Sequence, residues 1–248
     1  MPSSIYFKDT QVRERPKAKI KYHVKTTIHC ANSRENMKFK QVLVIREPPV
    51  EFKMNEAQME ESKISTWCCI DQGISKMWAN YEKNIYTPNE VAKAMIHVDN
   101  SQCTLAVTRV KFFVEQRCTI KTGGFGNHQH TYVKKLAYNE RPGPSFGEGG
   151  FQTEMLVDLN AIRYQVVDFK KKRGVQVKIS PEDAFMMAGV QSATHSRHIV
   201  NEYFLKIELE YDGCTCCANL PDASMPFTIV PIVNPACFGF QPPGGWLP

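Results

Sequence analysis

Hydrophobic and polar residues alternate along much of this chain with the two-residue period of a β-strand. One side of the strand predicted over residues 17–30 carries Ala18, Ile20, Tyr22, Val24 and Ile28. The other side carries Lys17, Lys19, Lys21, His23, Lys25 and His29. Polar residues 32–36 then predict a turn, and residues 38–46 predict a second strand, so that the two form a hairpin. Because a two-stranded hairpin is not stable alone in water, we expect it to need another sheet.

The stretch after this hairpin loses the alternation. Pro48 and Pro49 remove backbone donors, and residues 51–63 are polar and show no strand pattern. We therefore predict a linker over residues 49–66, with a weak helix as an option for residues 56–63.

Beyond Trp67 the pattern predicts short strands separated by turns. The predicted strands are residues 74–83, 91–98, 104–120, 130–139, 151–159, 164–169, 199–211 and 225–233. Ser180-Pro181-Glu182-Asp183 has the N-cap and first-turn residues of one short helix. Strands at this spacing predict an all-β fold, an immunoglobulin-like antiparallel β-sandwich.

Composition is that of an ordinary globular protein, with 42% hydrophobic and 23% charged residues over 248 positions. Without a long apolar run or a signal-like N-terminus, we expect a cytoplasmic protein. The nine cysteines are an odd number, which favours free thiols over a disulfide framework.

Charge is concentrated at one end of the chain. Residues 1–46 contain eleven Lys and Arg against three Asp and Glu, a net of +8, whereas the whole chain carries +6. The candidate contacts with an anionic surface are Lys17, Lys19, Lys21 and Lys25, together with a second cluster of Lys170, Lys171, Lys172 and Arg173. A simply solvated strand face and hairpin tip would explain the same charges.

Four segments in fixed order suggest a family. They are Thr66-Trp67-Cys68-Cys69, Tyr86-Thr87-Pro88-Asn89-Glu90, the run Tyr203 to Tyr211, and Met225 to Pro231. Over about residues 64–236 the chain resembles the C-terminal sandwich of an α-arrestin. The hairpin before it resembles the last two strands of that family's N-terminal sandwich.

This resemblance implies a division of the chain into four parts. They are a basic segment with the hairpin (1–48), a linker (49–66), an arrestin C-like sandwich (67–236) and a Pro/Gly/aromatic tail (237–248). Members of the family recruit ubiquitin ligases with a Pro-Pro-x-Tyr motif. This chain has two Pro-Pro pairs, Pro48-Pro49 and Pro242-Pro243, and neither is followed by the tyrosine. The tail residues Phe238, Phe240, Trp246 and Leu247 could dock into a partner, or fold back onto the sandwich.

Candidate chemistry is sparse. Cys214-Thr215-Cys216-Cys217 with Cys68-Cys69 could supply zinc thiolates, but the spacing is not that of a zinc knuckle, so unligated thiols are the preferred interpretation. His128, His130, His195 and His198 have no nucleophile or paired carboxylate at recognisable spacing, and we interpret them as surface histidines. We therefore predict no catalytic residue, no metal and no cofactor.

The resemblance implies a non-enzymatic adaptor that binds other proteins, such as membrane cargo tails, with peripheral contact to an anionic endosomal or plasma membrane. Nucleic acid is not an expected partner. The alternative is a fixed structural subunit of a large assembly, in which the hairpin adds its strands to a neighbouring subunit.

Overall fold

The computed structural model of the protein describes residues 1–8, 16–29, 36–48, 50–122, 128–160, 162, 191–215 and 218–230. These residues form the strands β1 (Ile5–Lys8), β2 (Lys17–Ile20), β3 (Tyr22–Ile28), β4 (Met37–Leu43), β5 (Met54–Thr66), β6 (Ile70–Lys83), β7 (Ile85–Tyr86), β8 (Val91–Cys103), β9 (Val107–Thr122), β10 (His128–Arg141), β11 (Phe151–Asp158), β12 (Thr194–His195), β13 (Ile199–Tyr211) and β14 (Asp222–Ile229). A short 3-10 turn, Trp67–Cys69, joins β5 to β6. Within these ranges no helix is long and apolar enough to cross a bilayer.

Two sheets form an all-β sandwich. One sheet has the strand order β10-β9-β13-β14-β7, with β12 paired to the start of β13. The other has the order β11-β8-β6-β5. All described strand pairs are antiparallel except the short pair of β14 with β7. The fold class predicted from the alternation is therefore confirmed.

The main core lies between these two sheets. Along β13, every second residue from Ile199 to Tyr211 is buried, as the alternation requires of a strand with one face inward. The largest side chains in this core that are almost fully buried include Tyr81, Phe112, Met155 and Tyr203. Burial of such side chains contributes about 1.5–3 kcal/mol each, which makes this layer the main source of stability.

The strands β9 and β13 extend beyond the main core, and the N-terminal residues cover their ends. A second hydrophobic cluster joins Ile5, Phe7 and Ala18 of β1 and β2 to Cys118 of β9 and Ile199 of β13. The β1–β2 pair thus packs on the same face of this sheet as the main core, beyond the part that the other sheet covers.

The strand predicted over residues 17–30 is divided at Lys21. Residues up to Ile20 pair with β1, whereas residues from Tyr22 onward pair with β4. The reason is a change of partner, because the chain leaves one two-stranded sheet and enters another without losing its alternation. The predicted hairpin is confirmed as β3–β4, with Tyr22 opposite Leu43.

The prediction that residues 51–63 form no strand was wrong, and so was the optional weak helix over residues 56–63. Residues 54–66 form β5, an edge strand paired along its length with β6. An edge strand with a solvated face needs few apolar residues, so its polar composition concealed it. The division of the chain into domains and a linker stays a prediction.

The other predicted strands within the described residues are present, β13 with the predicted ends and the rest with shifted ends. The run predicted over residues 104–120 is β9, in the middle of its sheet between β10 and β13. The last predicted strand begins earlier, at Asp222, as β14. The strand predicted over residues 164–169 and the helix beginning at Ser180 lie outside the described residues.

Candidate partner-binding surfaces

The β3–β4 hairpin has an apolar side that faces solvent. Residues directly opposite in an antiparallel pair share a face, and Ile28 lies opposite Met37 while Thr26 lies opposite Phe39. The exposed fractions are 54% for Ile28, 60% for Met37 and 63% for Phe39. Among the described strands, β3 and β4 pair only with each other. Exposed apolar side chains on a sheet with two open edges are typical of an interaction surface.

The other side of the hairpin is cationic. Lys25 lies directly opposite Lys40, and Thr27 lies opposite Lys38, with all three lysine side chains exposed. Like charges directly opposite each other destabilise a strand pair, and an anionic partner would remove this repulsion. Of the predicted anionic-surface contacts, Lys25 belongs to this cationic side.

Lys17 and Lys19 lie on a different sheet. Their ammonium groups stand 5.4 Å and 5.6 Å from the centre of the Tyr6 ring, which is buried beneath them. A cation over an aromatic face is attracted by the ring, so part of their role is to pack β2 against β1. Lys21 lies between β2 and β3 and is half-buried. Lys17 and Lys19 therefore belong to the β1–β2 sheet, Lys25 belongs to the β3–β4 sheet, and Lys21 lies in the connection between them.

A layer of buried polar groups separates the main core from the N-terminal cluster. Gln116 donates from its side-chain amide to Asn201 Oδ1 at 2.8 Å, and Asn201 donates to the Ser192 carbonyl at 2.9 Å. The Tyr6 N–H donates to Gln191 Oε1 at 2.8 Å, and the Tyr203 hydroxyl donates to the Gln191 carbonyl at 2.7 Å. Because satisfied buried hydrogen bonds require one alignment, this layer fixes how β1 sits on the sandwich.

One carboxylate connects the N-terminal residues to the sandwich. Glu47 Oε1 accepts from the Ser3 N–H at 3.1 Å, the Thr194 hydroxyl at 2.8 Å and the His195 N–H at 2.8 Å. Glu47 Oε2 lies 3.0 Å from His195 Nδ1. Burial raises the pKa of Glu47, but these hydrogen bonds outweigh it and hold the pKa below its ordinary value.

His195 also faces a second carboxylate, since its Nε2 lies 3.4 Å from Glu202 Oε1. The hydrogen bond with Glu47 raises the pKa of His195 above its ordinary value, burial opposes this, and Glu202 adds to it. Our sequence interpretation treated His195 as a surface histidine and did not single out Glu47. No local signal could have paired them, because the two residues are 148 positions apart.

The two cysteine-containing segments meet at one end of the sandwich. The Trp67 N–H donates to the Cys214 carbonyl at 2.9 Å, which places the Trp-Cys-Cys turn beside the segment that follows β13. Cys69 and Cys214 are exposed, whereas Cys103 and Cys118 are buried. Cys216 and Cys217 lie outside the described residues. The described residues contain no group of three metal-ligating side chains.

Two predicted contact regions fall outside the described residues. The first is the basic cluster of Lys170, Lys171, Lys172 and Arg173, and the second is the tail with Phe238, Phe240, Trp246 and Leu247. Both stay predictions from the sequence.

Comparison with known proteins agrees with the fold. Residues 71–234 match the family model described as arrestin (or S-antigen), C-terminal domain. This match covers well over half of the chain and every strand of the sandwich except β5, from the second residue of β6 through β14. A search of curated proteins gave no match.

Proposed function

We propose that this chain, which belongs to the arrestin family, is a non-enzymatic adaptor whose β3–β4 hairpin recruits a protein partner. The arrestin family consists in general of adaptors that bind other proteins. The observation that carries the proposal is the hairpin itself, which lies outside the sandwich and exposes Ile28, Met37 and Phe39 on one side. Side chains of this size seldom cluster on a monomer surface without a partner.

The partner we propose presents an apolar patch bordered by acidic groups. The apolar side of the hairpin would bury against the patch, and Lys25, Lys38 and Lys40 on the opposite side would attract the surrounding acids. Charges at the rim of an interface mainly raise the association rate, so the apolar side chains would determine how long the complex lasts.

The test is affinity capture with mass spectrometry, using the wild-type chain and an Ile28→Ser/Phe39→Ser variant. We expect the variant to lose its specific partner while its circular dichroism spectrum is unchanged. Phe146→Ser is the matched control, because Phe146 is 70% exposed but lies far along the chain, between β10 and β11. Equal capture by wild type and the hairpin variant would contradict the proposal.

The membrane contact belongs to the same proposal but needs its own measurement. Each lysine close to an anionic bilayer contributes about 1 kcal/mol of attraction. We expect wild type to float with phosphatidylserine vesicles and a Lys25→Glu/Lys40→Glu variant to remain in solution. Lys93→Glu/Lys121→Glu changes the same charge at exposed positions on β8 and β9, and should not alter flotation.

The tail is a second proposed docking element. A chain that lacks residues 238–248 should capture fewer partners than wild type if Phe238, Phe240, Trp246 and Leu247 engage another protein. An unchanged set of partners would favour a tail that folds back onto the sandwich.

A fixed structural subunit is the second candidate function. The same exposed hairpin favours it, since an apolar two-stranded sheet is well suited to extend a neighbouring sheet permanently. In that case the chain would be recovered only in a complex of constant stoichiometry. Recovery as a monomer that exchanges partners would favour the adaptor.

A further inference from the structure

Besides the hydrophobic cluster of β1 and β2, a small set of polar contacts at β12 holds the N-terminal residues on the sandwich. Ser3 and Ser4 are buried, and they pair with the chain just after β4. The Ser4 N–H donates to the Ile45 carbonyl at 2.8 Å, and the Glu47 N–H donates to Ser3 Oγ at 2.7 Å. Glu47 then makes the connection to Thr194 and His195 described above. The Ser3 N–H also donates directly to Thr194 Oγ1 at 2.9 Å, so Glu47 and the ring beside it are the titratable part of an attachment that other contacts share.

The His195 ring lies between two carboxylates, one at each nitrogen. Nδ1 is 3.0 Å from Glu47 Oε2, and Nε2 is 3.4 Å from Glu202 Oε1. A neutral imidazole has one N–H and can donate to only one of them, whereas an imidazolium can donate to both. In the neutral form, an unprotonated nitrogen would face a carboxylate oxygen. The arrangement thus fits the doubly protonated ring.

We propose that His195 is a proton-dependent clamp, which tightens the attachment of the N-terminal residues to the sandwich when its ring carries two protons and loosens it when the ring carries one. Histidine is suited to this role because its ordinary pKa of about 6.5 lies near physiological pH. The ring is only half covered, with a side-chain exposure of 54%, so protons reach it without unfolding.

The direction of the pH effect follows from the raised pKa of His195. A group with a raised pKa in the attached state contributes stability that is fully present below its ordinary value. That stability is lost as the pH rises through the raised value. The pKa of Glu47 is lowered, so its contribution is present above the ordinary carboxyl range and fails only in stronger acid. The clamp is therefore tightest in mildly acidic solution.

Other charged groups lie on the elements around the ring. Arg46 precedes Glu47 and donates from Nη1 to the Ser4 carbonyl at 3.3 Å. Arg197 and His198 are in the turn between β12 and β13, and Arg117 lies opposite Glu202 in the pairing of β9 with β13. Arg117 has its own carboxylate partner, Glu115, at 2.6 Å. Among the residues that the structure describes, the carboxylates in direct contact with the His195 ring are Glu47 and Glu202.

The direct test is an NMR titration of the His195 ring in the full chain. We expect its midpoint to lie above the ordinary histidine value of about 6.5, and to move down in a Glu47→Gln variant. A midpoint unaffected by Glu47→Gln would overturn the proposal, because the ring would then titrate independently of the attachment.

The consequence for the attachment is measured by hydrogen exchange at pH 6.0 and pH 8.0, corrected for the intrinsic exchange rate. Peptides that contain Ser4 and Glu47 should be protected several-fold more at pH 6.0 in wild type. His195→Gln keeps one amide donor for Glu47 but cannot titrate. In this variant, the protection of the same peptides should therefore not depend on pH. His97→Gln is the matched control and should behave as wild type.

Two outcomes would overturn the clamp. One is equal protection of the N-terminal peptides at both pH values in wild type. The other is a pH dependence that persists in His195→Gln. If His195→Gln fails to fold, the wild-type exchange and the ring titration still decide the matter, because neither requires the variant.

Discussion

Gly73, at the residue scale, holds a backbone conformation that other residues adopt only with strain. Its φ is +100°, and a Cβ built on it would lie 1.8 Å from the Gln102 carbonyl oxygen on the neighbouring strand β8. The close approach lies where the pairing of β6 with β8 begins, with Gly73 opposite Cys103. The glycine therefore permits two strand backbones to approach at one end of the four-stranded sheet.

Gly73→Ala should destabilise the protein far more than Gly150→Ala. Both positions have positive φ, for which an alanine costs about 1–2 kcal/mol. A Cβ at Gly150 would meet no atom within 4 Å, whereas one at Gly73 must push β8 away. Urea denaturation of the two variants measures the difference. Equal losses would mean that the strands separate at Gly73 without appreciable cost.

Glu90 makes one turn of the sandwich sensitive to acid. Its carboxylate accepts from the Thr87 N–H at 2.5 Å and from Lys83 Nζ at 2.8 Å. Burial raises the pKa of Glu90, but the contacts with Lys83 and Thr87 outweigh it and lower the pKa below its ordinary value. The stability that Glu90 contributes is therefore present above the ordinary carboxyl pKa and is lost as the pH falls through the lowered value.

Thermal unfolding between pH 7 and pH 3 should show this contribution. We expect wild type to lose more stability over this range than Glu90→Gln, whose amide does not titrate. Glu154→Gln, at an exposed position on β11, should lose as much as wild type. If the stability of Glu90→Gln and that of wild type fall in parallel between pH 7 and pH 3, Glu90 does not contribute to the acid sensitivity.

Strand β5, at the element scale, is hydrogen-bonded to the opposite sheet through the side chain of Gln58. The Gln58 amide donates to the Ser224 carbonyl at 3.1 Å, and the Ser224 N–H donates to Gln58 Oε1 at 3.0 Å. This pair imitates a backbone ladder and links β5 to β14 along one edge of the sandwich. It also occupies backbone groups of β14 that would otherwise lie unpaired at that edge.

Gln58→Ala should therefore loosen this edge. Two neutral hydrogen bonds contribute about 1 kcal/mol each, so we expect a loss of about 1–2 kcal/mol of unfolding free energy. Amide exchange should rise in residues 54–60 and at Ser224, and Gln152→Ala on the edge strand β11 provides the control. An increase confined to β5 would show that β14 is protected without Gln58.

The sequence predicted strands well where one face is buried and poorly where pairing alone forms the strand. The run Ile199 to Tyr211 alternates because its inner face packs in the core, and it appeared as predicted. Residues 54–66 form a strand because their backbone hydrogen-bonds to β6, whereas their own side chains give little indication of a strand. The two cases differ in whether local residues or a distant partner determine the conformation.

Strand β9 shows a second limit of predicting buried positions from the alternation of hydrophobic and polar residues. Strict alternation places Val107 on the face opposite Val110, yet both are buried in the main core. The pairing with β13 shifts by one residue at Thr108, whose hydroxyl donates to the Glu210 carbonyl at 3.0 Å. Such a bulge reverses the alternation, and its position depends on the partner strand, so the sequence alone could not locate it.

On the scale of the whole molecule, the candidate sites also differ in how far the sequence alone could predict them. The lysines of the basic segment and the apolar residues of the hairpin could be identified from composition and alternation. Their separation onto two sheets could not, because it follows from the change of partner at Lys21. The contact of Glu47 with His195 depends on the N-terminal residues returning to the sandwich, and no short-range pattern encodes that.

Cys118 reports whether the N-terminal residues and the sandwich open together. Its thiol is fully buried beneath Ile5, Phe7 and Ala18, and burial raises its pKa to about 12, so it should be unreactive in the native chain. Cys103 is also buried, but in the main core. The two thiols therefore monitor two different hydrophobic clusters, Cys118 from β9 and Cys103 from β8 on the opposite sheet.

Phe7→Ala removes an aromatic ring from the N-terminal cluster, a change that commonly costs about 3–5 kcal/mol in a packed core. If residues 1–48 form a separable unit, a thiol reagent followed by peptide mass mapping should label Cys118 well before Cys103 in this variant. Phe39→Ala, at the exposed side of the hairpin, should leave both thiols protected. Labelling of both at one rate would mean that the polar layer between the clusters joins them into a single cooperative body, and the predicted boundary near residue 48 would then be wrong.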